Sequence, residues 1–146
     1  MAQMTQVEKT FNPIAFVILG IIFWFEALLL IRFGGESLFV NGNPWLLLLY
    51  VASIPIAWIS IEISAIVGKI DREDLLNAVV IMALTALLLD GIALTWFQSW
   101  YGLAQTGLLL AAAWLLWGVG ISLGIGYWAS HSHHFSSKIR PQFKSI

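Results

Sequence analysis

Three charged residues interrupt long apolar stretches of the sequence: Glu26, Arg32 and Asp90. A charged side chain at mid-membrane depth costs at least ~2.5–3.5 kcal/mol on insertion scales, so it usually faces other helices and has a partner there. A carboxyl group in that setting can take up and release protons as a substrate passes, whereas an arginine and an aspartate can hold two helices together. These three residues are therefore the candidate functional residues of the chain.

Helix geometry limits which of the three residues can meet. A rise of ~1.5 Å per residue places Glu26 roughly 20 Å and Arg32 roughly 28 Å from Pro13, and Asp90 roughly 24 Å along its own helix. Glu26 and Arg32 are six residues apart on one helix and do not face each other. We therefore predict an ion pair between Arg32 and Asp90, with Glu36 as a competing partner of the arginine.

The two carboxyl groups leave two hypotheses open. In the first, Asp90 is part of a clamp between helices and Glu26 is a protonated hydrogen-bond donor to a neighbouring helix, contacts that fix packing more than they add stability. In the second, Glu26 and Asp90 line a polar cavity and exchange protons with a substrate.

The composition indicates that most of this chain lies in a lipid bilayer rather than in water. It has 146 residues, of which 60% are hydrophobic and 10% are charged, whereas soluble domains have about 25% charged residues. The lipid bilayer must therefore cover most of the chain. The net charge of −1 argues against a nucleic-acid partner. The absence of cysteine excludes disulfides and sites with thiolate ligands.

Four apolar stretches are each near the ~20 residues that cross a bilayer. We predict an all-α bundle of four transmembrane helices in residues 14–128, with spans at about 14–33, 45–67, 75–97 and 107–128. Residues 1–13 and 129–146 are predicted to be tails.

The basic residues predict the orientation of the bundle. With four spans, both tails and the middle connection share one side of the membrane. Six of the seven basic residues lie on that side: Lys9, Lys69, Arg72, Lys138, Arg140 and Lys144. Because cytoplasmic segments are enriched in lysine and arginine, both termini are predicted to be cytoplasmic, in a cell membrane that is most simply a bacterial inner membrane.

Two further patterns concern the fourth span. Gly120 and Gly124 form a small-xxx-small step that lets another helix approach closely, and Gly118 and Gly126 put small surface on a second side, for packing inside the bundle or across a dimer. Two or three imidazoles in residues 131–134 could bind a metal ion. No acidic residue follows in the tail to complete such a site, so neither a metal nor another cofactor is predicted.

Two segments resemble an uncharacterised bacterial family of small four-helix integral membrane proteins. They are residues 20–39 (GIIFWFEALLLIRFGGESLF) and residues 87–97 (LLLDGIALTWF), with WLLW at 114–117 beyond. The resemblance implies a membrane bundle in which Arg32 and Asp90 are the family-like polar positions and Glu26 is particular to this chain. The chain is also similar to small multidrug exporters, which are four-helix proteins with one glutamate in the first helix. Glu26 lies at a comparable position in this sequence.

No pair of a nucleophile and a base and no set of metal ligands occurs in the spans, so we do not predict an enzyme. Short loops and the lack of a soluble domain favour an accessory or assembly subunit of a larger membrane complex, or a homo-oligomer. The alternative is a small proton-coupled transporter that uses Glu26 and Asp90.

Overall fold

The computed structural model describes residues 10–132, which form four α-helices and one short 3-10 helix. The α-helices are α1 (Pro13–Leu38), α2 (Pro44–Gly68), α3 (Arg72–Trp96) and α4 (Gln105–His131), and the 3-10 helix is Gln98–Trp100. There is no β-strand among residues 10–132. All four α-helices are long and apolar enough to cross a membrane. The predicted all-α bundle of four membrane-spanning helices is confirmed.

The first two helices begin with the same local arrangement. The side chain of Asn12 accepts a hydrogen bond of 3.1 Å from the backbone N–H of Ile14, and Asn43 accepts one of 3.1 Å from Trp45. In both helices a proline stands in the first turn, where its missing N–H costs nothing. The sequence therefore defines where these helices start without help from tertiary packing.

The end of α1 depends instead on tertiary packing. The helix passes through Gly34 and Gly35 and ends at Leu38, five residues beyond the predicted span. Gly35 is buried, and a Cβ atom added to it would lie 2.9 Å from the side chain of Leu103. This close contact with the loop that precedes α4 outweighs the weak helix propensity of glycine.

The helices are packed unevenly around the bundle. The extensive interfaces are α1 with α3, α3 with α4, and α2 with α4, whereas α1 and α2 touch much less. Gly20 lies against Met82, and Arg32 reaches Ser99, so α1 and α3 run parallel. We call the end with the 39–43 and 97–104 connections the loop end, and the opposite end, where α1 begins and α4 finishes, the terminal end.

Two separate apolar cores hold the bundle together. The core near the terminal end consists of Phe16, Ile61, Leu75, Ala78, Val79, Met82 and Ala129. The core near the loop end consists of Leu28, Ile31, Phe39, Ala93, Tyr101, Leu108 and Ala111. The middle of the bundle, between the two cores, is less completely filled.

Candidate functional site

A cavity of about 290 Å³ lies between the two cores and is lined by residues of all four helices. Most of its wall is apolar. The polar side chains in the wall are Glu26, Ser53, Ser60, Asp90 and Ser122, together with the indoles of Trp24 and Trp114. A concave apolar site with a few polar groups is the usual form of a small-molecule binding site.

Asp90 supplies the buried carboxyl group of the cavity. Its side chain is 7% exposed. The carboxylate oxygen Oδ1 accepts a hydrogen bond of 2.9 Å from Trp24 Nε1 and one of 3.2 Å from the Tyr101 hydroxyl. Oδ2 accepts no hydrogen bond from residues 10–132. In this part of the chain, every fully buried polar side-chain atom has a hydrogen-bond partner. Oδ2 must therefore be accessible at the cavity surface.

Tyr101 reaches this carboxyl group from the loop end. The residue follows the 3-10 helix and is completely buried. Burial raises the pKa of the Tyr101 phenol above its ordinary value, and the negative charge of Asp90 raises it further. The hydroxyl therefore stays protonated at neutral pH and donates to Asp90. The sequence analysis missed Tyr101, because nothing in the sequence distinguishes it from the interfacial aromatic residues around it.

The predicted ion pair between Arg32 and Asp90 is wrong. Arg32 Nη1 instead donates a hydrogen bond of 2.9 Å to the backbone carbonyl of Ser99. Trp24 is level with Asp90, and Arg32 comes eight residues later on α1, so it lies about 12 Å nearer the loop end. The arginine therefore contacts the 97–104 connection rather than the middle of α3.

Arg32 has a structural role in holding that connection. Gly102 has a φ of 67°, which a residue with a Cβ atom rarely adopts. A Cβ atom there would lie 2.6 Å from Arg32 Nη1. The glycine allows the backbone to lie directly against the guanidinium group, and the segment fixed in this way carries Tyr101 into the bundle.

Glu26 lies at the rim of the same cavity. Its side chain is exposed, and it forms no hydrogen bond or ion pair within residues 10–132. Ile56, which lines the cavity from α2, is 54% exposed. Because exposed residues of α1 and α2 border the cavity and these two helices touch little, the cavity opens sideways between them. The structure thus brings Glu26 and Asp90 to one cavity, one at its mouth and one in its wall.

Tryptophans on α4 tie this helix to α2. Trp114 Nε1 donates a hydrogen bond of 2.8 Å to Ser53 Oγ, and Trp117 Nε1 donates one of 3.1 Å to the carbonyl of Tyr50. An indole N–H away from water needs such a partner. Trp24 and Trp114 line the cavity, whereas Trp117 is 40% exposed on the outer side of the α2–α4 interface.

Three of the glycines predicted to pack α4 do not pack against another helix within residues 10–132. In the described part of the chain, Cβ atoms added to Gly118, Gly120 or Gly124 would meet no atom within 4 Å beyond the adjacent backbone of α4 itself. Gly118 lines the cavity, and the other two are exposed. The close approach on α4 is made by Gly126, where a Cβ atom would lie 3.1 Å from Val79. Spacing alone did not indicate which face of α4 is turned inward.

The histidine cluster lies only partly in the described region. His131 ends α4, and its Nδ1 is 2.9 Å from both the Ser130 hydroxyl and the carbonyl of Tyr127. His133 and His134 lie outside the described residues. Among residues 10–132, no three histidine, aspartate or glutamate side chains are grouped so that they could hold a metal ion.

Comparison with known proteins shows the family of the chain. The model of a family of unknown function (DUF5367) matches residues 38–133, which is more than half of the chain. The matched region contains α2, α3 and α4, and so includes Asp90 and Tyr101, whereas Glu26 and Arg32 precede it. No curated protein and no solved structure matches the chain.

Proposed function

The chain belongs to the family of unknown function DUF5367, and we propose that it is a small proton-coupled membrane transporter whose substrate occupies the four-helix cavity. Membership confirms the resemblance to an uncharacterised family of small four-helix membrane proteins, to which residues 87–97 and 114–117 pointed. The family itself carries no activity that could be transferred, so the proposal rests on the site.

The observation that carries the proposal is the environment of Asp90. Its carboxyl group lies in the apolar wall of a cavity and receives hydrogen bonds from two neutral groups, but no cation within residues 10–132 pairs with it. An ionised carboxylate inside a membrane is costly without a positive partner. A proton or a substrate group must therefore neutralise Asp90, and an exchange between the two couples proton movement to substrate movement.

The shape of the cavity supports the same function. Its sideways opening between α1 and α2 gives a membrane-dissolved molecule a route to Asp90. The two apolar cores close the cavity toward both ends of the bundle. A transporter keeps its site near the middle of the membrane and opens it alternately to the two sides. The 97–104 connection is the segment whose displacement would open the loop end.

A role as an accessory subunit or homo-oligomer is the second candidate, favoured by one observation on α4. Gly120 and Gly124 are exposed on the surface of the bundle, and within residues 10–132 an added Cβ atom at either position would meet no neighbouring helix, which suits close packing against a helix of another chain. Native mass spectrometry of gently extracted protein separates the candidates. A defined hetero-complex would support the role as an accessory subunit. A monomer would exclude both the subunit role and the homo-oligomer.

The orientation belongs to the proposal as well. We place both termini in the cytoplasm because the basic residues concentrate on that side. A reporter that is active only in the periplasm should stay inactive when it is fused to the C-terminus, and should become active when it is fused in the 97–104 connection. The opposite pattern of activity would show that the bundle has the reverse orientation in the membrane.

Filling the cavity should stop transport without harming the fold. Gly118 lines the cavity and has no neighbour within 4 Å of an added Cβ atom, so Gly118→Leu places a side chain in empty space and improves helix propensity by up to about 1 kcal/mol. Gly120→Leu is the matched control, since it adds the same side chain to the outer surface of the same helix. We expect the two variants to be equally stable.

The assay is uptake driven by a pH gradient in proteoliposomes, with a mixture of small apolar amines, alcohols, amides and acids quantified by mass spectrometry. At least one compound should accumulate with the wild type and with Gly120→Leu, but not with Gly118→Leu or in empty liposomes. Equal accumulation with all proteins and in empty liposomes would refute the transport function.

A further inference from the structure

The hydrogen bonds of Asp90 are distributed unequally between its two oxygen atoms. Trp24 and Tyr101 both donate to Oδ1. Oδ2 is left at the cavity surface with no donor from residues 10–132. A carboxylate oxygen accepts hydrogen bonds and donates none, so an occupant of the cavity that contacts Oδ2 must bring an N–H or O–H group of its own.

The charges around the cavity define that group further. Both ionisable residues in the wall are acids, Glu26 and Asp90. The nearest basic side chain on α1, Arg32, is engaged by the carbonyl of Ser99 toward the loop end. The cavity therefore offers negative charge and no compensating positive charge. An anionic ligand would be repelled, and a cationic one would supply the partner that Asp90 lacks.

The rest of the wall defines the body of the ligand. Apolar side chains such as Phe23, Ala57 and Met82 cover most of the surface. A volume of about 290 Å³ is at the lower limit for sites that hold drug-sized molecules. The opening between α1 and α2 faces the bilayer, so the ligand must also be soluble in lipid. A small hydrocarbon or aromatic body meets these conditions.

We propose that the ligand is a small lipophilic amine whose protonated nitrogen donates a hydrogen bond to Asp90 Oδ2 while its apolar body fills the cavity. The inference rests on the proposed function, because it names the substrate class of the same cavity. It is narrower than a preference for any cation, since an unpartnered acceptor oxygen requires a hydrogen-bond donor, which an organic ammonium ion supplies through an N–H group. A quaternary ammonium ion carries the charge without that donor.

Isothermal titration calorimetry of the full chain in lipid nanodiscs tests the assignment. The probes are phenylbutylamine, phenylbutanol and phenylbutyltrimethylammonium, which share one apolar body and differ in charge and in donor. Empty nanodiscs correct for partition into lipid. Hydrogen bonds to charged groups contribute about twice as much as neutral ones, so the amine should bind at least about tenfold more tightly than either analogue. Gly118→Leu should abolish binding, and Gly120→Leu should preserve it.

The possible failures are distinguishable. If the alcohol or the quaternary ion binds as tightly as the amine and Gly118→Leu abolishes this binding, the cavity is a binding site but the amine assignment is wrong. If none of the probes binds above the level of empty nanodiscs, both the amine assignment and binding of small apolar molecules in the cavity fail. If Gly118→Leu leaves amine binding unchanged, the amine binds elsewhere on the chain.

Discussion

Replacing Asp90 by asparagine should reduce pH-driven uptake to the level of empty liposomes, a loss of at least about 100-fold. The side-chain carbonyl of asparagine can still accept from Trp24 and Tyr101, so the contacts that join α1, α3 and the 97–104 connection remain. The substitution removes the negative charge and the second acceptor oxygen. An amide does not bind a proton at neutral pH and has no negative charge to form an ion pair with a cation, so coupling between proton and substrate is lost.

The thermal stability of the same variant separates this account from a purely structural one. We expect Asp90→Asn to unfold within a few degrees of the wild type in detergent. Glu26→Gln is the matched comparison, because Glu26 forms no hydrogen bond within residues 10–132 and its substitution should also leave stability unchanged. If Asp90→Asn keeps full uptake, Asp90 is not the coupling group. If the variant unfolds, the clamp between helices is its main role.

Replacing Gly20 by leucine should strongly destabilise the bundle. A Cβ atom at Gly20 would lie 2.9 Å from the carbonyl oxygen of Met82 and 3.0 Å from Thr85 Cβ. The first of these atoms belongs to the backbone of α3 and cannot rotate away, so the two helices must separate along their extensive interface. Overpacking of this kind costs typically about 1–3 kcal/mol, occasionally more.

Gly91→Leu provides the control for this loss of stability. Gly91 is also inside a helix, but an added Cβ atom there meets no other part of the described chain within 4 Å. The gain in helix propensity of up to about 1 kcal/mol should make this variant as stable as the wild type or more so. Detergent-resistance melting curves of the two variants would measure the difference. Similar melting temperatures would show that α1 and α3 do not approach each other at Gly20.

The helices could be predicted from the sequence because their signals are local. A run of about twenty apolar residues between polar connections is sufficient to indicate a membrane span, and Asn43 followed by Pro44 marks a helix start. The extension of α1 through Gly35 could not be predicted in this way. It depends on Leu103, which is far away in the sequence and packs against the glycine.

The candidate site was only partly predictable. Asp90 was identified because a charged residue in an apolar span is costly, a property that needs no structure. Its partners depend on the register between α1 and α3 and on the path of the 97–104 connection, and hydrophobic sequence patterns do not encode either. The arginine was therefore assigned to Asp90 when it in fact holds the loop. The inner face of α4 was also missed, because every side of that helix is apolar.

Photo-crosslinking tests most directly the central claim that a small molecule occupies the four-helix cavity. The probe is a phenylbutylamine analogue with a diazirine on its hydrocarbon chain, activated in nanodiscs that contain the full chain and mapped by peptide mass spectrometry. We expect labels on cavity residues of different helices, such as Phe23, Ala57 and Trp114, and their loss in Gly118→Leu. Labels confined to lipid-facing residues such as Leu47 and Leu109, and unchanged in that variant, would contradict the claim.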